Sequence, residues 1–238
     1  MPLTLREAHA GQDAYRPSDP RTLDRLGETV IVPFVGASAA GKDYNMRLLG
    51  AHIVTSGTTR EYREGDNGHM RYFTEDDMLG MIERGEVVQY AVIPEFGYLY
   101  ATLADDYRPG INVKDVTHDA VSQFDGRGFA ANRPIGVVAP AREFEQRFLN
   151  RFGELSDEKI RGRLAHAAIT TQLLIDEWCL REDRLVIVSQ KGHDVDNLVA
   201  MKEYIAHGTT DRRANLRALT VCRQMLQTIE QLQRRHAA

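Results

Sequence analysis

Apolar and polar positions alternate along this chain in blocks that change period. Val30-Ile31-Val32-Pro33-Phe34-Val35 is a continuous apolar run of strand length. Runs of this kind mark strands buried on both faces. Tyr44 to Leu49 carries helical spacing, and Ile53-Val54-Thr55-Ser56 reads as a short strand. Residues 57–71 are polar and contain glycine. A helix is predicted over residues 74–84, with Thr74 as cap and acidic side chains in its first turn. Strands follow at residues 87–93, 98–103, 112–116 and 134–139. Helices are predicted at 142–151 and 157–178, then a strand at 184–189 and a helix at 195–206. Strands separated by helices predict an α/β fold, a parallel sheet flanked by helices. Such sheets bind ligands beyond the carboxyl ends of their strands.

The two ends differ from this block. Residues 1–28 are polar and contain proline, and read as an irregular extension with a short helix at 20–26. Residues 207–238 read as a further helix, with Leu216, Leu219, Cys222, Leu226, Ile229 and Leu232 or Gln233 recurring at steps of three and four. One stripe of this kind fits packing on the parent domain or contact with a second copy of the chain.

Composition narrows the function classes. A net charge of −4 over 238 residues gives no general basic surface for nucleic acid. The two cysteines, Cys179 and Cys222, fit a reducing cytoplasm better than a disulfide scaffold. The first 25 residues show no apolar core of a secretion signal, and no run approaches the roughly 18 apolar residues of a membrane span. No Cys/His spacing has the form of a structural zinc site. His69, His118 and His193 are scattered and read as surface or hydrogen-bonded side chains, and Trp178 reads as core.

Candidate chemistry begins directly after the first strand. Gly36-Ala37-Ser38-Ala39-Ala40-Gly41-Lys42-Asp43 has the pattern G-x-x-x-x-G-K between a strand and a helix. Glycines and small residues let backbone N–H groups face a phosphate, and the helix N-terminus adds partial positive charge. Lys42 would reach the outer phosphates of ATP. Asp43 stands where Ser or Thr usually places a hydroxyl on magnesium; as a hard oxygen ligand it is a candidate for Mg2+ itself. Arg60 and Arg63 sit three apart in a glycine-containing stretch and can clamp a phosphate bidentately. Arg147 and Arg151, four apart on one helix, and Arg163 on the next, could close over a transferring phosphoryl group as a lid.

Taken together, these segments resemble the guanylate kinase family of nucleoside monophosphate kinases, from about residue 29 to 206. The resemblance is carried by the glycine-bounded loop, by Thr58-Thr59-Arg60 with Arg63 and Gly65, and by Tyr72-Phe73-Thr74. It continues through Glu86-Val87-Val88-Gln89-Tyr90-Ala91, Gly97-Tyr98-Leu99-Tyr100-Ala101-Thr102 and the lid arginines. It implies a phosphate-loop kinase domain with an acceptor-binding insert at about 55–115 and a lid at about 147–163. ATP, Mg2+ and a phosphorylated small-molecule acceptor would be its ligands. Arg60 and Arg63 would hold the acceptor's phosphate, Tyr100 and Thr102 would line its pocket, and Arg147, Arg151 and Arg163 would serve the triphosphate. Gln190 and Lys191 fall where the family contacts adenine.

The departures gather in the acceptor pocket. Gln89 stands where the family places a glutamate that reads guanine, and Arg71, next to Tyr72, stands where it places a phosphate-binding tyrosine. Asp115 and Thr117 replace paired aspartates, which leaves Asp115 as a candidate for metal or acceptor contact. A glutamine offers one acceptor and a donor where a carboxylate only accepts. The expectation is therefore phosphoryl transfer to a nucleoside monophosphate with altered base preference. The Gly-Lys-Asp ending also resembles ribose 1,5-bisphosphate phosphokinases, whose acceptor has no base. A kinase acting on a modified base in DNA and a non-catalytic interaction module are further alternatives.

Overall fold

The structure, a computed structural model, describes residues 2–62, 70–93 and 97–236. Arg63, Gly65 and His69 lie outside the described residues. The chain is α/β, with a larger parallel sheet flanked by helices. Its strands are β1 (Thr29–Val35), β2 (His52–Ile53), β7 (Gly110–Asp115), β8 (Ala131–Asn132), β9 (Ile135–Val138) and β10 (Leu185–Val188). The order is β10-β9-β1-β7-β2, with β8 beside the start of β1. The pairs β1–β8, β1–β9, β9–β10 and β2–β7 are parallel.

A second, mixed sheet is built from residues 56–103. Its strands are β3 (Ser56–Thr58), β4 (Met70–Tyr72), β5 (Val87–Ile93) and β6 (Tyr98–Leu103), in the order β4-β3-β6-β5. β6 runs antiparallel to both neighbours, and the ladder with β5 slips between Val87 and Gln89. The strand predicted at 53–56 is two strands belonging to different sheets, β2 and β3. The polar stretch expected at 57–71 contains β4, which pairs in parallel with β3.

The chain forms two compact units. The first comprises residues 1–31, 52–114 and 119–132, and the second residues 32–51, 115–118 and 133–238.

In the first unit, the N-terminal segment is ordered rather than irregular. Helix α1 (Leu5–Gly11) opens with a capping box, in which Glu7 N–H donates to Thr4 Oγ1 and Thr4 N–H donates to the Glu7 carboxylate. Helix α2 (Pro20–Gly27) has Pro20 in its first turn and Asp19 as cap. Ala8 packs with Met78, Leu79 and Ile82 of α4 (Glu75–Glu83) and with Tyr90, Val92 and Leu99. Hydrogen bonds tie this segment to β5: Tyr90 Oη donates to Ala8 O at 3.0 Å, Tyr15 Oη to Val87 O at 2.7 Å, and Val92 N to Gln12 Oε1 at 2.9 Å.

In the second unit, helices α3 (Lys42–Leu49), α5 (Ala141–Phe152), α6 (Asp157–Leu173), α7 (Asp194–His207) and α8 (Arg212–Arg235) accompany the strands. A π-helical segment, Leu174–Trp178, follows α6 directly, and Trp178 is buried as expected. Helix α8 packs on its own unit, against α6, α5 and β10. Its buried face is Asn215, Ala218, Leu219, Cys222, Met225, Ile229 and Leu232. Leu216, expected in the stripe, is exposed, and Met225 takes the fully buried place expected for Leu226. Leu219, Cys222, Ile229 and Leu232 are buried as the periodicity predicts.

Candidate functional site

The loop between β1 and α3 is built by close approach. A Cβ on Gly36 would stand 2.4 Å from Val137 O on β9, and one on Gly41 would stand 2.2 Å from Ser189 Oγ. Neither position accepts a side chain without displacing backbone or its neighbour. Gly41 also takes φ +103°, and Ala39 takes φ +70°, a conformation uncommon for a residue with a Cβ. Left-handed residues in a tight turn aim successive N–H groups to one side, the backbone arrangement that holds anions. Helix α3 starts at Lys42, two residues before its predicted start, so its N-terminal N–H groups belong to this loop.

Lys42 is largely buried and turns back on the loop: Nζ donates to Gly36 O at 2.7 Å and Ala37 O at 3.2 Å. The Asp115 carboxylate is 3.6 Å away. Asp43 is exposed in the first turn of α3. A cavity of about 310 Å³ brings Ser38, Lys42, Asp43, Asp115, Arg147 and Arg151 to common walls. Arg147 is held there by Glu143, 2.5 Å from Nη2, and by the Ser189 carbonyl at 3.3 Å. Arg151 lies over the Phe152 ring at 5.2 Å and Arg163 over the same ring at 4.4 Å. Burial, and then the nearby Arg151 charge, lower the pKa of Arg163. Arg147 and Arg151 thus reach the loop's cavity, whereas Arg163 stacks beside Arg151 on Phe152.

Two further cavities adjoin the loop. One of about 340 Å³ is walled by Gly41, Tyr44, Arg147, Gln190, Lys191 and Asp194, so Gln190 and Lys191 border the loop. Another, of about 270 Å³, is walled by Gly36, Lys42, Asp115, Thr117, His118 and His166. The two imidazole rings are 5.7 Å apart, and His118 Nδ1 meets Thr170 Oγ1 at 3.3 Å. Sequence reading placed His118 among scattered histidines. His118 follows the end of β7 and His166 lies on α6, and no local spacing signals that the two meet at one cavity with Lys42.

The remaining predicted residues lie in the first unit. Arg60 is buried at the end of β3, its Nη1 donating to Glu61 O at 3.0 Å. Arg71 on β4 pairs through Nη2 with Asp106, while its Nε is buried with no partner among the described residues. Tyr72 is exposed and stands edge-on to Tyr62, and Tyr100 is half-buried on β6. Thr102 is buried, 2.9 Å from the Tyr107 hydroxyl. Gln89 is 6% exposed and donates through Nε2 to Gln123 Oε1 at 2.7 Å. Gln123 and Asp106 were missed as members of this group, since both fall in irregular segments without a periodic signal.

Among the described residues no group of three metal-ligating side chains occurs, and no helix is long and apolar enough to cross a membrane.

A parallel α/β sheet whose first strand runs through a glycine-bounded, lysine-ended loop into a helix is a nucleotide-kinase-like arrangement. No family model matches the chain. A guanylate kinase of Rhodococcus jostii (strain RHA1) is 27% identical over 195 residues, covering 77% of this chain and 91% of that protein. The crystal structure of guanylate kinase from Anaplasma phagocytophilum aligns with a TM-score of 0.48 at 16% identity, over 86% of this chain and 98% of that one.

Proposed function

We propose that the protein is an ATP-dependent phosphotransferase that moves the γ-phosphoryl group of ATP onto a nucleoside monophosphate, with base recognition altered from that of guanylate kinases. The observation that carries this reading is the cavity in which Lys42, the 36–41 loop, Arg147 and Arg151 share walls. Backbone N–H groups and Lys42 would hold the β- and γ-phosphates. Arg147 and Arg151 would stabilise charge on the transferring group by position alone. Arg163 would support Arg151 through the shared Phe152 ring or reach the phosphates on lid closure. Tyr44, Gln190, Lys191 and Asp194 would border the adenine. In the first unit, Arg60, Arg63 and Arg71 would grip the acceptor's phosphate, with Tyr72, Tyr100, Thr102 and Gln89 around the rest of it. Little general-base help is needed, because a phosphate acceptor is already ionised.

Asp43 and Asp115 line one cavity with Lys42, which fits magnesium. That ion takes one or two carboxylates and completes its shell with water and substrate phosphate. Bound with ATP, it would neutralise phosphate charge. A second reading, favoured by Asp43 after Lys42 and by Gln89, is a sugar-phosphate kinase of the ribose 1,5-bisphosphate type.

The test is ADP production from Mg–ATP in a coupled assay, across nucleoside and deoxynucleoside monophosphates and ribose 1,5-bisphosphate. Turnover with a nucleotide is expected. Lys42→Ala should lower kcat by about a hundredfold or more. Turnover with ribose 1,5-bisphosphate alone would move the assignment to the second reading, and none with any acceptor would reject both.

A further inference from the structure

Gln89 belongs to a chain of hydrogen bonds whose polarity is set from the N-terminal segment. Its Nε2 donates to Gln123 Oε1 at 2.7 Å, and Gln123 Nε2 donates to Asp13 Oδ1 at 3.3 Å. Both glutamines are buried, at 6% and 7% exposure. An amide carries a donor end and an acceptor end, whereas a carboxylate has only acceptors. Asp13 therefore fixes Gln123 with its NH2 outward and its carbonyl toward Gln89. That carbonyl in turn takes the NH2 of Gln89. The atom of Gln89 left over is Oε1, the part of the amide that this chain of bonds does not use.

We infer that Asp13 and Gln123 are positioning residues that lock Gln89 into presenting a hydrogen-bond acceptor. The amide then recognises an acceptor substrate through an N–H or O–H donor on the edge that meets it. This rests on the proposed placement of Gln89 in the acceptor pocket, but the relay itself is independent of that placement. A lone glutamine could rotate and serve either partner polarity; this one is held in one setting. The donor could come from a nucleobase N–H or from a sugar hydroxyl.

The relay is testable without activity, through inversion of its polarity. In Gln89→Glu the new carboxylate faces the carbonyl of Gln123, or else forces Gln123 to turn its carbonyl onto Asp13. Two acceptors then oppose each other either way. Asp13→Asn supplies a donor at the far end and allows the reversed chain, in which Gln123 donates to the introduced carboxylate. Asp13→Asn should therefore raise the melting temperature of Gln89→Glu by about 2–4 °C yet leave that of the wild-type protein nearly unchanged, because Asn Oδ1 still accepts from Gln123. Equal shifts of the same sign in both backgrounds would overturn the relay.

Titration calorimetry supplies the ligand arm with two probes, GMP, which brings ring N–H donors, and ribose 1,5-bisphosphate, which brings hydroxyls only. Asp13→Lys, which offers donors only and so reverses the chain, should weaken the probe that binds by about three- to tenfold and leave the Kd for ATP unchanged. In turnover, KM for that acceptor should rise with kcat retained. An unchanged Kd would overturn the recognition role of Gln89. Binding of neither probe would overturn the recognition role of Gln89 toward these donors, while the coupled assay still decides the proposed function and the melting series still decides the relay.

Discussion

Asp106 shows how a single buried carboxyl depends on one arginine. Its carboxylate accepts from Leu103 N at 2.6 Å and pairs with Arg71, whose side chain is partly exposed. Burial pushes the Asp106 pKa above the ordinary carboxylate value, and Leu103 N–H and Arg71 pull it partly back. Between its unfolded and folded pKa values the native state holds a proton that the unfolded state has released, so stability contributed there falls as pH rises. Arg71→Ala would remove part of the downward pull and widen that window. The variant should lose about 1–3 kcal/mol at neutral pH, and the deficit should shrink as pH falls into the ordinary carboxylate range. Urea denaturation at neutral and acidic pH checks this, and a deficit constant with pH would contradict it. For an acceptor-gripping role, the same pairing means that Arg71 already has an anionic partner, so a phosphate would bind beside Asp106 rather than replace solvent.

At the scale of elements, α8 is fastened to β10 by one side chain. Asn215 is fully buried; its Oδ1 accepts from Val186 N at 2.9 Å. Its Nδ2 donates to Arg181 O at 2.8 Å and Arg184 O at 2.7 Å. All three partners are backbone groups that lose their bond together when the amide is removed. Asn215→Ala should cost about 2–4 kcal/mol, measured by denaturant unfolding, whereas the neighbouring exposed Leu216→Ala should cost less than about 0.5 kcal/mol. The contrast also explains which elements were legible. Long elements with a sustained period, β1, α4, β5, β6 and α8, stand close to their predicted places, because an apolar face repeated over several turns or pleats has few other solutions. Helix α1 was hidden by its polar composition, although the Thr4 to Glu7 spacing of a capping box is present in the sequence. β2, β3 and β4 are two or three residues long, and a strand that short has no period to read. Asn215 itself looked like an ordinary polar helix residue, since nothing local shows which carbonyls await it.

Across the whole molecule, the loop at 36–43 was legible because close backbone approach restricts residue type, and the sequence records that restriction as glycine. The arginines were legible only as residue types in order. Arg147 and Arg151 come to the loop's cavity because they share a helix face, while His118 and His166 reach an adjoining cavity from segments far apart in the chain. Contacts of that kind are set by the path of the chain in three dimensions, which no local pattern in a single sequence encodes. The same holds for the link from Asp13 to Gln123, 110 positions apart.

The sulfur atoms of Cys179 and Cys222 lie 3.9 Å apart, and both side chains are buried where the π-helical segment ends against α8. Shielded thiols of this kind react only when their surroundings open. The chain therefore contains an intrinsic clock for opening: maleimide uptake on the native protein should be slow and should accelerate for both sulfurs in step with the loss of circular dichroism in urea. Early capture of Cys222 alone, read by mass spectrometry, would instead mean that the last helix peels away before the sheet comes apart.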